Sequence, residues 1–281
     1  MKLVRFRKDG ETRIGTIDGE TVYDISDQVD DFADALQKST EDESLETSGN
    51  TYSMDDINYL PPTTETNTVL NAALNYESHI EETSRAAPEW PLLFFKLYRS
   101  LIGHREQVPL YSSISTDLDY EAELAVVIGA PARNVSETEA LDYVAGYTIL
   151  NDITARDLQN VMMGDVERLD WFSSKALQKS TPVGPYVVTS DEIPDPMDLQ
   201  ISSWVNGKKM QDESSGMMIR DIPELISFAS TRIELHPGDI IATGTPEGVG
   251  LFQDLLLSDG DTIEIEIDDI GTLSNTVTRV E

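Results

Sequence analysis

The stretch Asp119-Tyr120-Glu121-Ala122-Glu123-Leu124-Ala125-Val126-Val127-Ile128-Gly129 reads as a strand buried on both faces, with two carboxylates at its start. Side chains alternate across a strand, so Glu121 and Glu123 share a face with Ala125, Val127 and Gly129, while Leu124, Val126 and Ile128 fill the other. The two glutamates then lie roughly 6–7 Å apart along the chain. Carboxylates at that separation can hold one hard cation between them. A third acid from a neighbouring strand end would complete an oxygen donor set suited to Mg²⁺, Mn²⁺ or Ca²⁺. A second apolar strand, 146–150, ends about twenty residues later in Asn151-Asp152. The spacing alone is weak. Acids make up 52 of 281 residues, so chance supplies roughly ten acid-x-acid triplets, and a half-exposed strand with solvated carboxylates explains one equally well. The apolar filling of both faces tips the balance, because buried carboxylates are costly unless paired or metal-bound.

Outward from this strand the chain is mainly β with a few helices and no βαβ alternation. Short strands are expected at 2–6, 13–17 and 21–23, with Asp18-Gly19 as a hairpin turn. An acidic helix is expected at 27–36 and a polar loop at 38–50, and Tyr59-Leu60-Pro61-Pro62 reads as a stiff linker. These residues, 1–62, read as a small separate domain before a larger one at 63–281. In the latter, strands are expected at 69–74, 146–150, 183–189, 199–205, 239–242 and 262–267. Residues 90–98 are strongly apolar around Lys96. Helices are expected at 76–85 and 222–230, and Ser136-Glu137-Thr138-Glu139 reads as a capping box opening a helix to about 143. No internal repeat of fixed period is present.

Composition bounds the function. With 39% hydrophobic residues the chain can build one large core, with room for a small satellite domain. The absence of cysteine excludes disulfides, thiolate zinc sites and cysteine nucleophiles. The start, Met1-Lys2-Leu3-Val4-Arg5-Phe6-Arg7, lacks the apolar core of a secretory signal. No apolar run approaches the roughly 18 residues of a membrane span. A cytoplasmic protein is expected. The net charge of −32 disfavours nucleic acid and anionic membranes as partners. It fits a salt-adapted surface of the kind found in halophilic archaea, where molar salt shortens the Debye length to about 3 Å.

Other residues carry possible chemistry, each with a plain alternative. His79 and Glu82 share a helix face at i,i+3, so the carboxylate can fix the imidazole tautomer and support it as a general base; a surface pair is the plain reading. Arg156 follows the 146–150 strand and suits bidentate carboxylate binding, unless Asp152 simply caps a helix there. Lys175, between apolar segments, requires an acid partner or a site, or else snorkels to the surface. Gly244-Thr245-Pro246-Glu247-Gly248-Val249-Gly250 permits close backbone approach to a ligand, or is a turn. His104 and His236 have no evident chemical companion and read as structural.

Together these pieces resemble the fumarylacetoacetate hydrolase family over about residues 66–281. The motifs are Asn-Tyr-x-x-His-x-x-Glu at 75–82, Pro91 to Lys96, Asp-Tyr-Glu-x-Glu-Leu-x-x-Val-Ile-Gly at 119–129 and Val-Ala-Gly-Tyr-Thr at 144–148. They continue with Asn-Asp-x-x-x-Arg-Asp-x-Gln at 151–159, Lys175, Pro182-x-Gly-Pro185, Val-Asn-Gly at 205–207, Pro-Gly-Asp at 237–239 and Gly-Thr-Pro-x-Gly-Val-Gly at 244–250. The resemblance implies a mixed β-roll catalytic domain behind a small N-terminal domain, a homodimer, and a divalent metal held by Glu121, Glu123 and Asp152. It implies a 2-oxo acid substrate, with His79 and Glu82 as a mobile lid pair that activates water, Lys175 near the metal, and Lys96, Arg156, Gln159 and Thr245 against substrate. The expected activity is hydrolysis of a C–C bond in 2,4-dioxo acids of the acylpyruvate or diketo sugar acid type. The alternatives are decarboxylation or tautomerisation of oxaloacetate-like acids, dehydration of 2-keto-3-deoxy sugar acids, or a non-catalytic, metal-stabilised acidic binding protein. The pattern departs from the family where Ala73-Leu74 precedes Asn75 in place of a glycine, and where no acid stands near Gln178. The lid segment has only Tyr76 and Ile80 as large apolar groups, so low local stability and a position away from the metal are expected for it.

Overall fold

The Ala122–Ile128 strand is buried along its whole length. Leu124, Val126 and Ile128 pack with Tyr120, Tyr147, Ile201, Ile226 and Ile265 on one face. Ala125 and Val127 pack with Leu3, Phe32, Leu36, Val69 and Ala242 on the other. Each fully buried large aliphatic side chain contributes about 1.5–3 kcal/mol, so the strand is held rigidly between two cores. The computed structural model describes residues 1–41, 45 and 49–280.

The strand lies within a 12-stranded mixed sheet. Its neighbours are Val144–Asn151, which runs antiparallel with Ala122 opposite Asn151, and Ile240–Ala242. Beyond Ile240–Ala242 come Val69–Ala73, parallel to it, and Leu92–Lys96 at the edge. On the other side the sheet continues through Thr181–Thr189 to Lys2–Lys8, Glu11–Asp18, Thr21–Asp24 and Thr51–Ser53. A second sheet of five strands, Lys208–Ser214, Gln200–Val205, Thr262–Ile267, Gly271–Val280 and Gln107–Tyr111, stacks its apolar face against the first core. The fold is mainly β, of the expected class.

Residues 1–62 join the same sheet, with Lys2 and Leu3 opposite Val188 and Val187. Their helix, Phe32–Thr40, lays Phe32, Ala35 and Leu36 over the face that carries Ala125 and Val127. Gly129 allows this approach, since a Cβ there would sit 2.0 Å from Thr40 Oγ1. This helix begins later than the expected 27–36, because Asp31 caps it by accepting from the Asp34 N–H at 2.9 Å. Of the loop expected at 38–50, Lys38–Thr40 completes the helix, while 42–44 and 46–48 lie outside the described residues.

Tyr59, expected to open a linker, instead lies with Asn58 in a short strand that pairs with Phe6 and Arg7. The capping box at Ser136 yields only a 3₁₀ turn, Ala140–Tyr143. The Ser136 hydroxyl donates to the Glu139 side chain at 2.5 Å, and no side chain caps the turn. Only Ala140 of that turn is buried, too little apolar surface to propagate a helix.

Candidate active site

The antiparallel register sets the centre of the site. Because Ala122 lies opposite Asn151, the chain continues so that the Asp152 N–H donates to the Glu121 carbonyl at 2.9 Å. Asn151 Oδ1 in turn accepts from the Glu121 N–H at 3.0 Å. This clasp brings a strand end and a strand start together, and Glu121, Glu123 and Asp152 converge with donor oxygens within 4.8 Å of one another. All three are buried.

Three cations surround them. Lys175 Nζ donates to Glu121 Oε2 and Asp152 Oδ2, both at 2.7 Å. Arg156 lies 2.9 Å from Glu121 Oε1 and donates through Nε to Asp119 Oδ2 at 2.7 Å. Lys96 Nζ sits 2.5 Å from Asp152 Oδ1.

Asp119, Glu121, Glu123 and Asp152 thus face Lys96, Lys175 and Arg156, leaving one negative charge in excess. Burial would raise the Glu121 pKa, but Lys175 and Arg156 outweigh it and hold the carboxyl below its usual range. Glu123 goes the other way: burial, then Asp152 and Glu121, push it well above the usual carboxylate range. Among the described residues its carboxylate accepts one hydrogen bond, from the Gly244 N–H at 3.1 Å. Gly244 has φ +90°, and a Cβ there would press to 3.0 Å from Asn75 Cβ. Three buried carboxylates with oxygens within 4.8 Å of one another, one of them under-compensated, fit a divalent cation.

The site opens into a cavity of about 240 Å³. Its wall includes His79, Arg156, Gln159, Lys175 and Thr245 together with the three acids. His79 lies on the Glu77–Thr83 helix, and its Nδ1 is 2.7 Å from Glu82 Oε1. A carboxylate there favours hydrogen on Nδ1 and leaves Nε2 basic. The helix is not set apart from the acids, as its few apolar groups led us to expect. Polar bonds dock it: Glu82 Oε2 accepts from the Gly248 N–H at 3.0 Å, and Ser78 Oγ donates to Glu213 at 2.5 Å. Asn75 anchors its start by donating to the Thr243 carbonyl at 2.8 Å and accepting from the Arg220 N–H at 2.9 Å.

The remaining expected substrate contacts differ in character. Gln159 and Thr245 are on the cavity wall, and Gln211 holds Thr245 Oγ1 at 2.8 Å. Lys96 is not on that wall. Its side chain is 0% exposed, and its ammonium reaches Asp152, Thr181 Oγ1 at 2.8 Å and the Ile153 carbonyl at 3.4 Å. Lys96 therefore reaches Asp152 from behind the cavity wall.

Sequence reasoning had assigned no role to Asp119. It accepts from the Gly250 and Leu251 N–H groups at 2.7 and 3.0 Å as well as from Arg156, tying the glycine-rich loop to the site. It also missed Trp171, which stacks on Phe94 at 5.0 Å to make an aromatic wall 5.6 Å from Lys175 Nζ. No periodicity announces such partners, since they lie 77 residues apart in the chain.

Residues 68–278 match the model of the fumarylacetoacetate (FAA) hydrolase C-terminal domain. The chain belongs to the fumarylacetoacetate hydrolase family. Residues 1–62 match an Rv2993c-like N-terminal model. An uncharacterized protein of Staphylococcus saprophyticus is 38% identical over 98% of both chains. The fumarylacetoacetate hydrolase of the psychrophile Exiguobacterium antarcticum superposes with a TM-score of 0.85 at 33% identity, over 100% of both chains. The maleylpyruvate hydrolase of Sphingobium sp. SYK-6, solved with manganese(II) and pyruvate, gives a TM-score of 0.80 at 28% identity, over 100% of both chains. Among the described residues no helix is long and apolar enough to cross a membrane.

Proposed function

We propose that the protein is a divalent-metal-dependent hydrolase that cleaves a C–C bond in 2,4-dioxo acids, releasing pyruvate and a second acid. The observation that carries this reading is the convergence of the Glu121, Glu123 and Asp152 carboxylates and the His79–Glu82 pair on one small cavity. The three carboxylates would hold Mg²⁺ or Mn²⁺, which would supply Lewis acidity toward a bound 2-oxo acid. His79 Nε2 takes a proton from water as the water oxygen adds to C4. Glu82 keeps the imidazole oriented and offsets its charge as it becomes imidazolium.

The C3–C4 bond then breaks. Its electron pair passes into the pyruvate enolate, and the proton held by His79 is available for C3. Lys175 keeps positive charge beside the developing enolate oxygen, and preorganised charge of this kind is usually the largest catalytic contribution. Arg156 is held in place by Asp119 and Glu121, with Gln159 Oε1 at 3.3 Å, and presents the cationic wall that an anionic substrate meets.

The test is direct. Purified protein with Mn²⁺ is given acetylpyruvate, and pyruvate and acetate are both measured. Equal release of the two supports the reading. Pyruvate with CO₂ from oxaloacetate, and none from acetylpyruvate, moves the function to decarboxylation. Metal binding without turnover of either overturns an enzymatic reading for these substrates.

A further inference from the structure

The glycine-rich loop meets several parts of the site through its backbone. The Gly244 N–H donates to Glu123 at 3.1 Å, and the Gly248 N–H to Glu82 Oε2 at 3.0 Å. The Glu247 N–H donates to Ser78 Oγ at 3.3 Å, and the Gly250 and Leu251 N–H groups donate to Asp119. One loop thus touches an acid of the buried triad, the helix that carries His79, and the acid that holds Arg156. Backbone donors can orient these groups only as well as the loop itself is held.

Gln211 holds it. This residue lies on Lys208–Ser214, a strand at the edge of the second sheet, and is the one buried position along it. Burying a polar side chain is costly unless its hydrogen bonds are made, and Gln211, 1% exposed, makes them all. Its Oε1 accepts from the Ala122 N–H at 3.0 Å and from the Ser203 hydroxyl at 3.1 Å. Its Nε2 donates to Thr245 Oγ1 at 2.8 Å and to the Pro246 carbonyl at 2.9 Å. That is the full capacity of a glutamine amide. Ala122 stands between Glu121 and Glu123, so a single side chain joins the start of their strand to the loop. The loop also lies directly on the edge strand: Gly248 has φ +96°, and a Cβ there would sit 2.2 Å from the Met210 carbonyl oxygen. Two residues beyond Gln211, on the same face, Glu213 accepts from the Ser78 hydroxyl.

We propose that Gln211 is a positioning residue for the general base. It fixes the loop against the strand of Glu121 and Glu123, so that the Gly248 N–H sets Glu82 and, through Glu82, the His79 imidazole. The role of His79 as base rests on the hydrolase reading above; the placement of its helix by Gln211 does not. Gln211 is itself absent from the cavity wall, so it acts only through the groups it holds. Methionine at 211 would leave the Ala122 N–H and the Pro246 carbonyl without these partners and free the loop to shift. A displacement of about 1 Å at a reacting group can cost about 10²-fold in rate.

The experiment has two arms. In the first, amide hydrogen exchange at residues 77–83 is followed by mass spectrometry in wild type and three variants. Gln211→Met removes the whole bridge, Thr245→Val removes one acceptor on the loop side, and Ser203→Ala removes a partner on the strand side only. Exchange at 77–83 should quicken about tenfold in Gln211→Met, less in Thr245→Val, and stay within about twofold of wild type in Ser203→Ala. In the second arm, kcat on acetylpyruvate at saturating Mn²⁺ is measured for Gln211→Met, His79→Ala and the double variant. It should fall about 10–100-fold in Gln211→Met. The double variant should be no slower than His79→Ala alone, because Gln211 acts through the base. Unchanged exchange at 77–83 in Gln211→Met overturns the proposal, or in Thr245→Val should the methionine variant not fold. So does a Ser203→Ala helix as loose as that of Gln211→Met, or a double variant whose two losses multiply. Exchange as expected in a wild type that does not cleave acetylpyruvate faults the hydrolase reading and leaves the placement of the helix by Gln211 standing.

Discussion

Replacing Lys96 by methionine separates a supporting role from a substrate-binding one. The Lys96 and Asp152 side chains are 0% and 1% exposed, and the two charges stand 2.5 Å apart. Removing one member of a buried ion pair costs about 3–5 kcal/mol, because the remaining charge stays buried without its partner. Here the loss should fall near the lower end, about 3 kcal/mol by the same rule, since Lys175 still donates to Asp152 Oδ2 at 2.7 Å. Burial also lowers the Lys96 pKa, only partly offset by Asp152, so the pair is not an unalloyed gain. Methionine fills a similar volume, which keeps cavity terms small. For a chain of this size 1 kcal/mol shifts Tm by roughly 2–4 °C, so a fall of about 6–12 °C is expected by differential scanning calorimetry at fixed ionic strength. Mn²⁺ should restore part of it by compensating Asp152. A Tm within about 2 °C of wild type together with a raised KM would refute this reasoning and return Lys96 to the substrate.

The other expectations are as sharply measurable. Mn²⁺ at a hundred times its Kd should stabilise the protein by about 2.7 kcal/mol; Glu123→Gln should abolish that shift, and in EDTA at neutral pH it should melt higher than wild type because a poorly compensated carboxylate is gone. His79→Ala should lower kcat by about 10²–10⁴ with Mn²⁺ binding intact, the range for a lost general base; calorimetric loss of Mn²⁺ would make His79 a ligand instead. Burial, with Arg105 adding to it, lowers the His104 pKa from 6.5 to about 4, and its Nδ1 accepts from the Ser274 N–H at 3.1 Å. The folded value lies below the unfolded one, so this contribution is complete above pH 6.5 and is lost as pH falls toward 4. It amounts to at most about 3 kcal/mol. Urea titrations across that window should show a shallower slope for His104→Gln than for wild type. Finally, raising KCl from about 0.1 M to about 1 M, which shortens the Debye length from ~10 to ~3 Å, should raise Tm by screening the net charge of −32; an unchanged melt would end the salt-adapted reading.

Much of this molecule is written in local pattern. Strand alternation put Glu121 and Glu123 on one face, and the apolar filling of both faces at 124–128 marked a buried strand, as found. The helix expected at 222–230 is Ile222–Ser230, because Asp221 caps it and its apolar positions repeat at helical spacing. The i,i+3 spacing of His79 and Glu82 is likewise enough to bring their side chains to 2.7 Å, since the helix itself sets that distance.

Pattern fails where a contact depends on which strands become neighbours. Asp152 meets Glu121 only through the register of Val144–Asn151 against Ala122–Ile128. The N-terminal strand reads as part of a separate module, yet it completes the main sheet beside Thr181–Thr189. Lys96 sits in an apolar run that looks the same from the sequence whether its ammonium reaches substrate or Asp152. Residue order alone marked the buried 122–128 strand, its two acids and the His79–Glu82 pair, because side-chain period and chemistry are local. Tertiary structure alone decided that Lys96 is buried behind the cavity wall, that Asp119 holds Arg156, and that Arg85 lies on that wall with no ion pair among the described residues. Burial and charge pairing are properties of a neighbourhood, and that neighbourhood is assembled from segments tens to hundreds of residues apart.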